Sequence, residues 1–260
     1  MNVVNEKNNE KFYRCMGYPI PFFENEQFSW KEKNPFLEEY LAFINQWEHL
    51  YKNLPFVKKI YLCNSLTFNA LKEESDIDLF IITEERRIWS TKFFCMILFR
   101  RYNIKRHGNK KRKQFCLSFF ITEKHQNLEW VSLPYWDPYL LYRDKHLTLL
   151  YQEENTKKSQ NYFLFWKDNQ NISSEKQEIK IGNSAFYGKW KYKTIIEKIG
   201  STFLGSIFEI IVKYLQMIII QIKYSLNKEL NKDVIVSDVM LKFHKDRREE
   251  IKKKILSEEN

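Results

Sequence analysis

The stretch that decides the fold is YLCNSLTFNALKEESDIDLFIIT, residues 61–83. An apolar run closes on Asn64-Ser65, a short linker follows, and a second apolar run opens with Asp76 and Asp78. In a strand alternate side chains share a face, so Asp76 and Asp78 point one way while Ile77, Leu79 and Ile81 point the other. Two parallel carboxylates at that spacing repel unless a cation stands between them. A hard divalent ion such as Mg²⁺ takes one or two carboxylates together with phosphate oxygens and water.

The flanking sequence extends the pattern. VKKIYLC from Val57 reads as a strand, SLTFNAL as a short helix opened by Asn64 and Ser65, and DIDLFIIT as a second strand. Free amides at the start of such a helix, with a small hydroxyl beside them, suit a phosphate. Residues 87–102 are apolar enough and long enough for a buried helix, and QFCLSFFIT from Gln114 reads as a third strand. Helix, strand, short helix, strand, helix, strand is the order of an α+β core built on a small mixed sheet.

This arrangement resembles the nucleotidyltransferase superfamily that includes DNA polymerase β, in its short, minimal branch. That signature is a strand ending in Gly-Ser, a short helix and loop, and Asp-x-Asp opening the next strand, commonly as SDIDL. Here the counterparts are Asn64-Ser65 and SDIDLFI from Ser75, and the match covers residues 57–83 closely. The resemblance implies transfer of a nucleoside monophosphate from a nucleoside triphosphate to an acceptor, with Mg²⁺ or Mn²⁺ as cofactor. It assigns Asn64, Ser65 and Ser75 to the phosphates and Asp76 and Asp78 to the metal. The family's glycine is Asn64 here, the side chain that best tolerates a left-handed turn. The family's third carboxylate, on a later strand, has no counterpart inside QFCLSFFIT, which offers Cys116 and Ser118; Glu123 at its end is the candidate.

Three readings of function follow. The first is a metal-dependent nucleotidyltransferase whose acceptor is a small molecule, a protein side chain or an RNA end. The second is a nucleotide-binding or interaction module of the same fold without turnover; an acid within metal reach of the pair separates it from the first. The third is RNA binding through the basic run 100–113, which a solvated connector explains as well.

The 260 residues carry a formal charge of +10, which favours phosphate-bearing partners. Aromatic residues make up 17% of the chain, which excludes a disordered one. Four scattered cysteines without a C-x-x-C pair suit reduced thiols in a cytoplasmic protein, and the first residues lack the apolar stretch of a secretory signal. His107, His125 and His244 have no second ligand at metal spacing and read as surface or packing residues.

The chain divides into an N-terminal arm and helix at 1–56, the core at 57–135 and a helical region at 136–260. Asn34-Pro35 should open the first helix, which stops before Pro55. Asp137 should cap a helix reaching about Leu150, with another over 161–169 and a flexible break near 175. Trp136 and Tyr139 either line a base or belong to the core. Residues 203–222 are apolar, but Glu209 and Lys213 stand in the middle at a cost in bilayer, so the sequence argues for a packed helix rather than a membrane one. Contact between copies of the chain through these C-terminal helices is a further reading. The charged end reads as a solvated helix.

Overall fold

The computed structural model describes residues 11–19, 22–24, 27–29, 32–108, 111–134, 137, 139, 140, 143, 146–153, 191–225, 233–244 and 246–257. The elements are β1 (Phe22–Glu24), β2 (Gln27–Ser29), α1 (Leu37–Gln46), α2 (Glu48–Lys52), β3 (Val57–Cys63), β4 (Ile77–Thr83), α3 (Ile88–Arg101), β5 (Phe115–Thr122), β6 (Thr148–Gln152), α4 (Lys191–Gly200), α5 (Phe203–Ser225), β7 (Ile235–Val236), β8 (Met240–Lys242) and α6 (Arg248–Ser257). β1 and β2 form a hairpin apart from a six-stranded mixed sheet of order β6-β3-β4-β5-β8-β7. Only β4 and β5 run parallel, joined by α3; the other neighbours are antiparallel. The protein is therefore α+β with a mixed sheet.

Alternation along the central strands builds two cores. Ile60, Leu62, Leu79, Ile81 and Leu241 face a layer of helices that includes Tyr40 and Ile44 of α1 and Trp89 and Phe99 of α3. Tyr61, Phe80, Ile82, Phe119 and Met240 face the other way, against Leu128, Leu140 and Leu147. Phe80 and Phe119 lie with ring centroids 4.7 Å apart, a contact worth about 0.5–1.5 kcal/mol beyond its area.

Several expectations need correction. The region 136–260 is not wholly helical: β6, β7 and β8 come from it and supply half of the sheet. The helix after Asp137 gives way to β6, whose Leu149 and Tyr151 pair with Tyr61 and Ile60, so it cannot reach Leu150. SLTFNAL makes a turn rather than a helix, held by Phe68 N donating to Asn64 O at 2.9 Å and Ala70 N to Ser65 O at 2.8 Å. The first helix starts at Leu37, after a turn in which Asn34 Oδ1 accepts Phe36 N at 3.0 Å, and breaks at Trp47 into α1 and α2. Trp136, residues 161–169 and the proposed break near 175 lie outside the described residues.

α5 is the largest departure from an ordinary core helix. Phe203–Lys223 is long and apolar enough to cross a membrane, with 17% of its most apolar window buried. Of the charges that argued against a membrane, Glu209 is turned inward and Lys213 is paired at the surface. Glu209 accepts Trp89 N and Ser90 N, both at 2.9 Å, and so satisfies amides at the start of α3, while Lys213 pairs with Asp238 at 2.7 Å. What remains outside is apolar: Phe203, Leu204, Ile210, Ile211, Ile218 and Ile222 are all more than half exposed. A continuous exposed face of this kind marks an interaction surface.

Lys92, buried where α3 meets α5, gives a first test. Its Nζ donates to Gln216 Oε1 at 2.9 Å and lies 4.9 Å from the centre of the Phe243 ring. Burial first, then Lys105 and Lys223, lower its pKa to about 8, against about 10.4 in an unfolded chain. Above about 10.4 both states are neutral; between there and about 8 the unfolded chain binds the proton first, so stability falls as pH falls and then levels. Denaturant melts should show the parent gaining about 1–3 kcal/mol relative to Lys92→Met between pH 8 and pH 10.4. A pH-independent difference between the two proteins would refute it.

Candidate functional site

The site lies where the amino end of β4 meets the carboxyl end of β3, on the sheet face opposite α1 and α3. Cys63 pairs with Asp78 across these strands, and the chain leaves β3 through Asn64. Asn64 has φ 61°, the left-handed conformation that the residue in a glycine's place must adopt. Its Nδ2 donates to Asp78 Oδ2 at 3.0 Å, and its Oδ1 accepts the hydroxyl of Tyr139 at 2.9 Å. One asparagine thus ties the turn, the acidic strand and Tyr139 together. Ser65 is half-buried beside it and lines the same cavity.

The cavity holds about 430 Å³ and opens on Asn64, Ser65, Asp76, Asp78, Arg143 and His244. That is the lower end of the size range of small-molecule sites. Tyr139 forms part of its wall, and its hydroxyl donates to Asn64 Oδ1. Ser75 sits at the rim with its Oγ accepting Lys72 N at 2.8 Å, while its carbonyl accepts Tyr40 OH at 2.7 Å; it shapes the loop before the aspartates.

Asp76 and Asp78 are brought together but held differently. Asp76 is paired with Arg106, which also lies 3.8 Å from Cys116 Sγ. Asp78 is the more enclosed; its Oδ1 is shut off from solvent and accepts no N–H or O–H hydrogen bond among the described residues. Burial, then the charge of Asp76, push its pKa up. Arg106 offsets the charge of Asp76, so Asp78 is the carboxylate whose charge a bound cation would relieve.

Glu123 does not join them. It opens a 3-10 turn after Thr122, which pairs with Thr83, five residues along β4 from Asp78, or roughly 16 Å at the rise of a strand. β4 and β5 are parallel, so the end of β5 lies away from the aspartates, and the assignment of Glu123 as third acid fails. Asp246, the other acid in the cavity wall, is engaged by Lys242 at 2.6 Å and by Arg248 at 2.7 Å.

The place beside Asp78 is taken by three residues of other chemistry. Cys116 pairs with Asp78 across the parallel ladder, and Ser118, two residues on along β5, shares its face, with Oγ 3.1 Å from Cys116 Sγ. His244, just beyond β8, completes the group: Phe243 N donates to Ser118 O at 2.9 Å and so carries His244 alongside β5. His244 Nε2 contacts Ser118 Oγ, lies 3.6 Å from Asp78 Oδ1 and 4.0 Å from Cys116 Sγ. Burial holds the imidazole below its usual pKa and pushes the Cys116 thiol up to about 12. His244 thus lies in the cavity wall beside Asp78, beyond the surface or packing role its spacing suggested, whereas His125 bonds Thr122 far from the site.

Arg143 was not legible as a site residue at all. Its guanidinium lies 5.1 Å and 4.8 Å from the ring centres of Phe80 and Phe119, in the cavity wall. Its Nε and Nη2 are buried and have no hydrogen-bond partner among the described residues.

Of the basic run 100–113, Arg106 reaches the site through Asp76, while Arg112 and Lys113 pair with Glu39 and Arg112 also with Glu73. These side chains knit the connector to α1 and the 73–76 loop. Asp76 and Asp78 offer the hard oxygens that Mg²⁺ or Mn²⁺ would need alongside phosphate; the sulfur and nitrogen next to Asp78 suit neither ion. Compared with known proteins, the chain matches no family model, no curated protein and no solved structure.

Proposed function

We propose that the cavity binds a nucleoside triphosphate together with a divalent cation, and that the protein transfers the nucleoside monophosphate to an acceptor hydroxyl with release of pyrophosphate. One observation carries this reading: two buried groups of opposite sign in the same cavity keep atoms with no hydrogen-bond partner among the described residues, Asp78 at Oδ1 and Arg143 at Nε and Nη2. An uncompensated buried charge costs several kcal/mol. A metal-bound polyphosphate meets both needs, offering a cation to the carboxylate and oxygens to the guanidinium fork.

The chain's own residues then have distinct tasks. Arg143, fixed over two aromatic rings, grips a phosphate in a planar, two-pronged geometry. The Asn64-Ser65 turn presents backbone and hydroxyl to the outer phosphates, with Asn64 holding Asp78 in place. Asp76 and Asp78 would hold the cation, which supplies neutralisation of phosphate charge when bound. The acceptor oxygen attacks the α-phosphorus in line, the bond to the bridging oxygen breaks, and pyrophosphate leaves.

A second reading, nucleotide binding without turnover, is favoured by one observation: β5 places Cys116 and Ser118 beside Asp78 where the family sets a third acid. Incubation with each α-labelled triphosphate, Mg²⁺ or Mn²⁺ and a cell extract separates the two. Label carried onto an acceptor supports transfer; saturable binding with no transferred label supports the second reading. A protein that neither binds nor transfers would remove both.

A further inference from the structure

We propose that Asp78, Cys116 and His244 together bind one divalent cation of the zinc class, with the fourth coordination position open to the cavity. This deepens the nucleotide reading by revising which residues hold its cation: Asp78 keeps that role, Cys116 and His244 join it, and Asp76 stays with Arg106. It rests on that reading only for what occupies the open position.

The geometry points there because three groups converge on a single nitrogen. Ser118 Oγ, Asp78 Oδ1 and Cys116 Sγ all surround His244 Nε2, and an imidazole nitrogen serves one hydrogen bond at a time. One donor atom each from Asp78, Cys116 and His244 lies within 4.8 Å of the others. A tetrahedral zinc ion about 2.3 Å from sulfur and about 2.0 Å from nitrogen holds those two atoms about 3.5 Å apart. Cys116 Sγ and His244 Nε2, at 4.0 Å, are about half an ångström from that spacing. Asp78 Oδ1 is buried and accepts no N–H or O–H hydrogen bond among the described residues, so it has a lone pair to offer.

The donor set also selects the class of metal. Mg²⁺ demands oxygen ligands near octahedral geometry and keeps its water. Thiolate and imidazole favour Zn²⁺ and its Co²⁺ surrogate. Three protein ligands with a fourth place open is the pattern of zinc sites that do chemistry, while structural sites close all four. The three residues line one wall of the cavity or adjoin it, so a phosphate oxygen or water takes the remaining place. On binding, the Cys116 thiol gives its proton to the buffer as the sulfur–metal bond forms, with no change of oxidation state.

The test uses the full chain, stripped of metal and without nucleotide, titrated with Co²⁺. The expected result is one equivalent of Co²⁺ giving a thiolate charge-transfer band and the visible bands of tetrahedral cobalt, both displaced by Zn²⁺ and unmoved by excess Mg²⁺. Cys116→Ser should lose the charge-transfer band, and His244→Gln should lower Co²⁺ affinity by at least ~100-fold, since even supporting partners of a ligand are worth 10–100-fold. Cys63→Ser, altering a buried thiol outside the set, should keep both bands. Melting curves of the metal-free variants, matched to the parent, show that each has folded. Absence of a charge-transfer band in the parent, or its survival in Cys116→Ser, would overturn the proposal. Bands without nucleotide binding would overturn the nucleotide reading alone, and nucleotide transfer without bands would overturn the zinc-class site alone.

Discussion

Asp78→Asn is expected to lower label transfer by about 10²-fold or more, the order lost when one preorganised electrostatic group is taken from a transition state, while the protein stays at least as stable as the parent. The two effects have one cause. The Asp78 carboxylate is enclosed, sits beside Asp76 and is pushed above its usual pKa by burial and by that neighbour. In the unfolded chain the group ionises lower, so at neutral pH its charge weighs against the native state, and the native state gains relative to the unfolded one as pH falls. The substitution removes the charge and keeps a side-chain oxygen for the Asn64 amide, which donates to Oδ2 at 3.0 Å in the parent. Activity and stability should therefore move in opposite directions, as at sites where function is kept at the expense of stability. Initial rates with α-labelled triphosphate and denaturant melts at pH 7 read the two quantities. Unchanged transfer would remove Asp78 from the site; lost transfer together with lost stability would make it a structural residue.

How much of this was written locally in the chain varies from element to element. β3, β4, β5 and α3 were legible because each is set by periodicity over a continuous run, and the two aspartates followed from the period of a strand. The left-handed Asn64 was legible too, since few other side chains tolerate that turn. β7 and β8 were not: at two and three residues they carry no period, and their place is fixed by β8 pairing with β5, more than a hundred positions earlier, and by β7 pairing with β8. His244 went unseen for that reason, because no local spacing links it to Ser118. Glu123 was misplaced for a different one. α3 joins β4 to β5, and a helical crossover makes such strands parallel, which sends the end of β5 away from the start of β4. Glu209 and Lys213 looked like charges in an apolar helix, yet each meets a partner that helical spacing alone cannot reveal.

Asp137→Ala should destabilise the protein by about 3–5 kcal/mol, the usual loss when one member of a buried ion pair is removed, and lower Tm on the order of 10 °C for a chain of this size. Asp137 is almost wholly buried. Its Oδ1 accepts Leu140 N at 2.9 Å, the capping bond its place before Pro138 predicts, and its Oδ2 accepts Leu133 N at 3.1 Å and Arg248 Nη1 at 2.9 Å. Arg248 in turn donates to Val131 O at 2.6 Å and pairs with Asp246. The pair thus joins the start of α6 to the segment carrying Leu128, Val131 and Leu140, the apolar wall of the cavity. Alanine leaves two amides without their acceptor and Arg248 with one carboxylate instead of two. Asp137→Asn, which can keep one amide acceptor, should cost less. A thermal melt decides between this and a surface role, for which the loss would stay within about 0.5 kcal/mol. Because the wall and not the metal-facing carboxylates is loosened, folded Asp137→Ala should bind nucleotide more weakly and still give the Co²⁺ bands, whereas Asp78→Asn should weaken the bands and leave the wall intact.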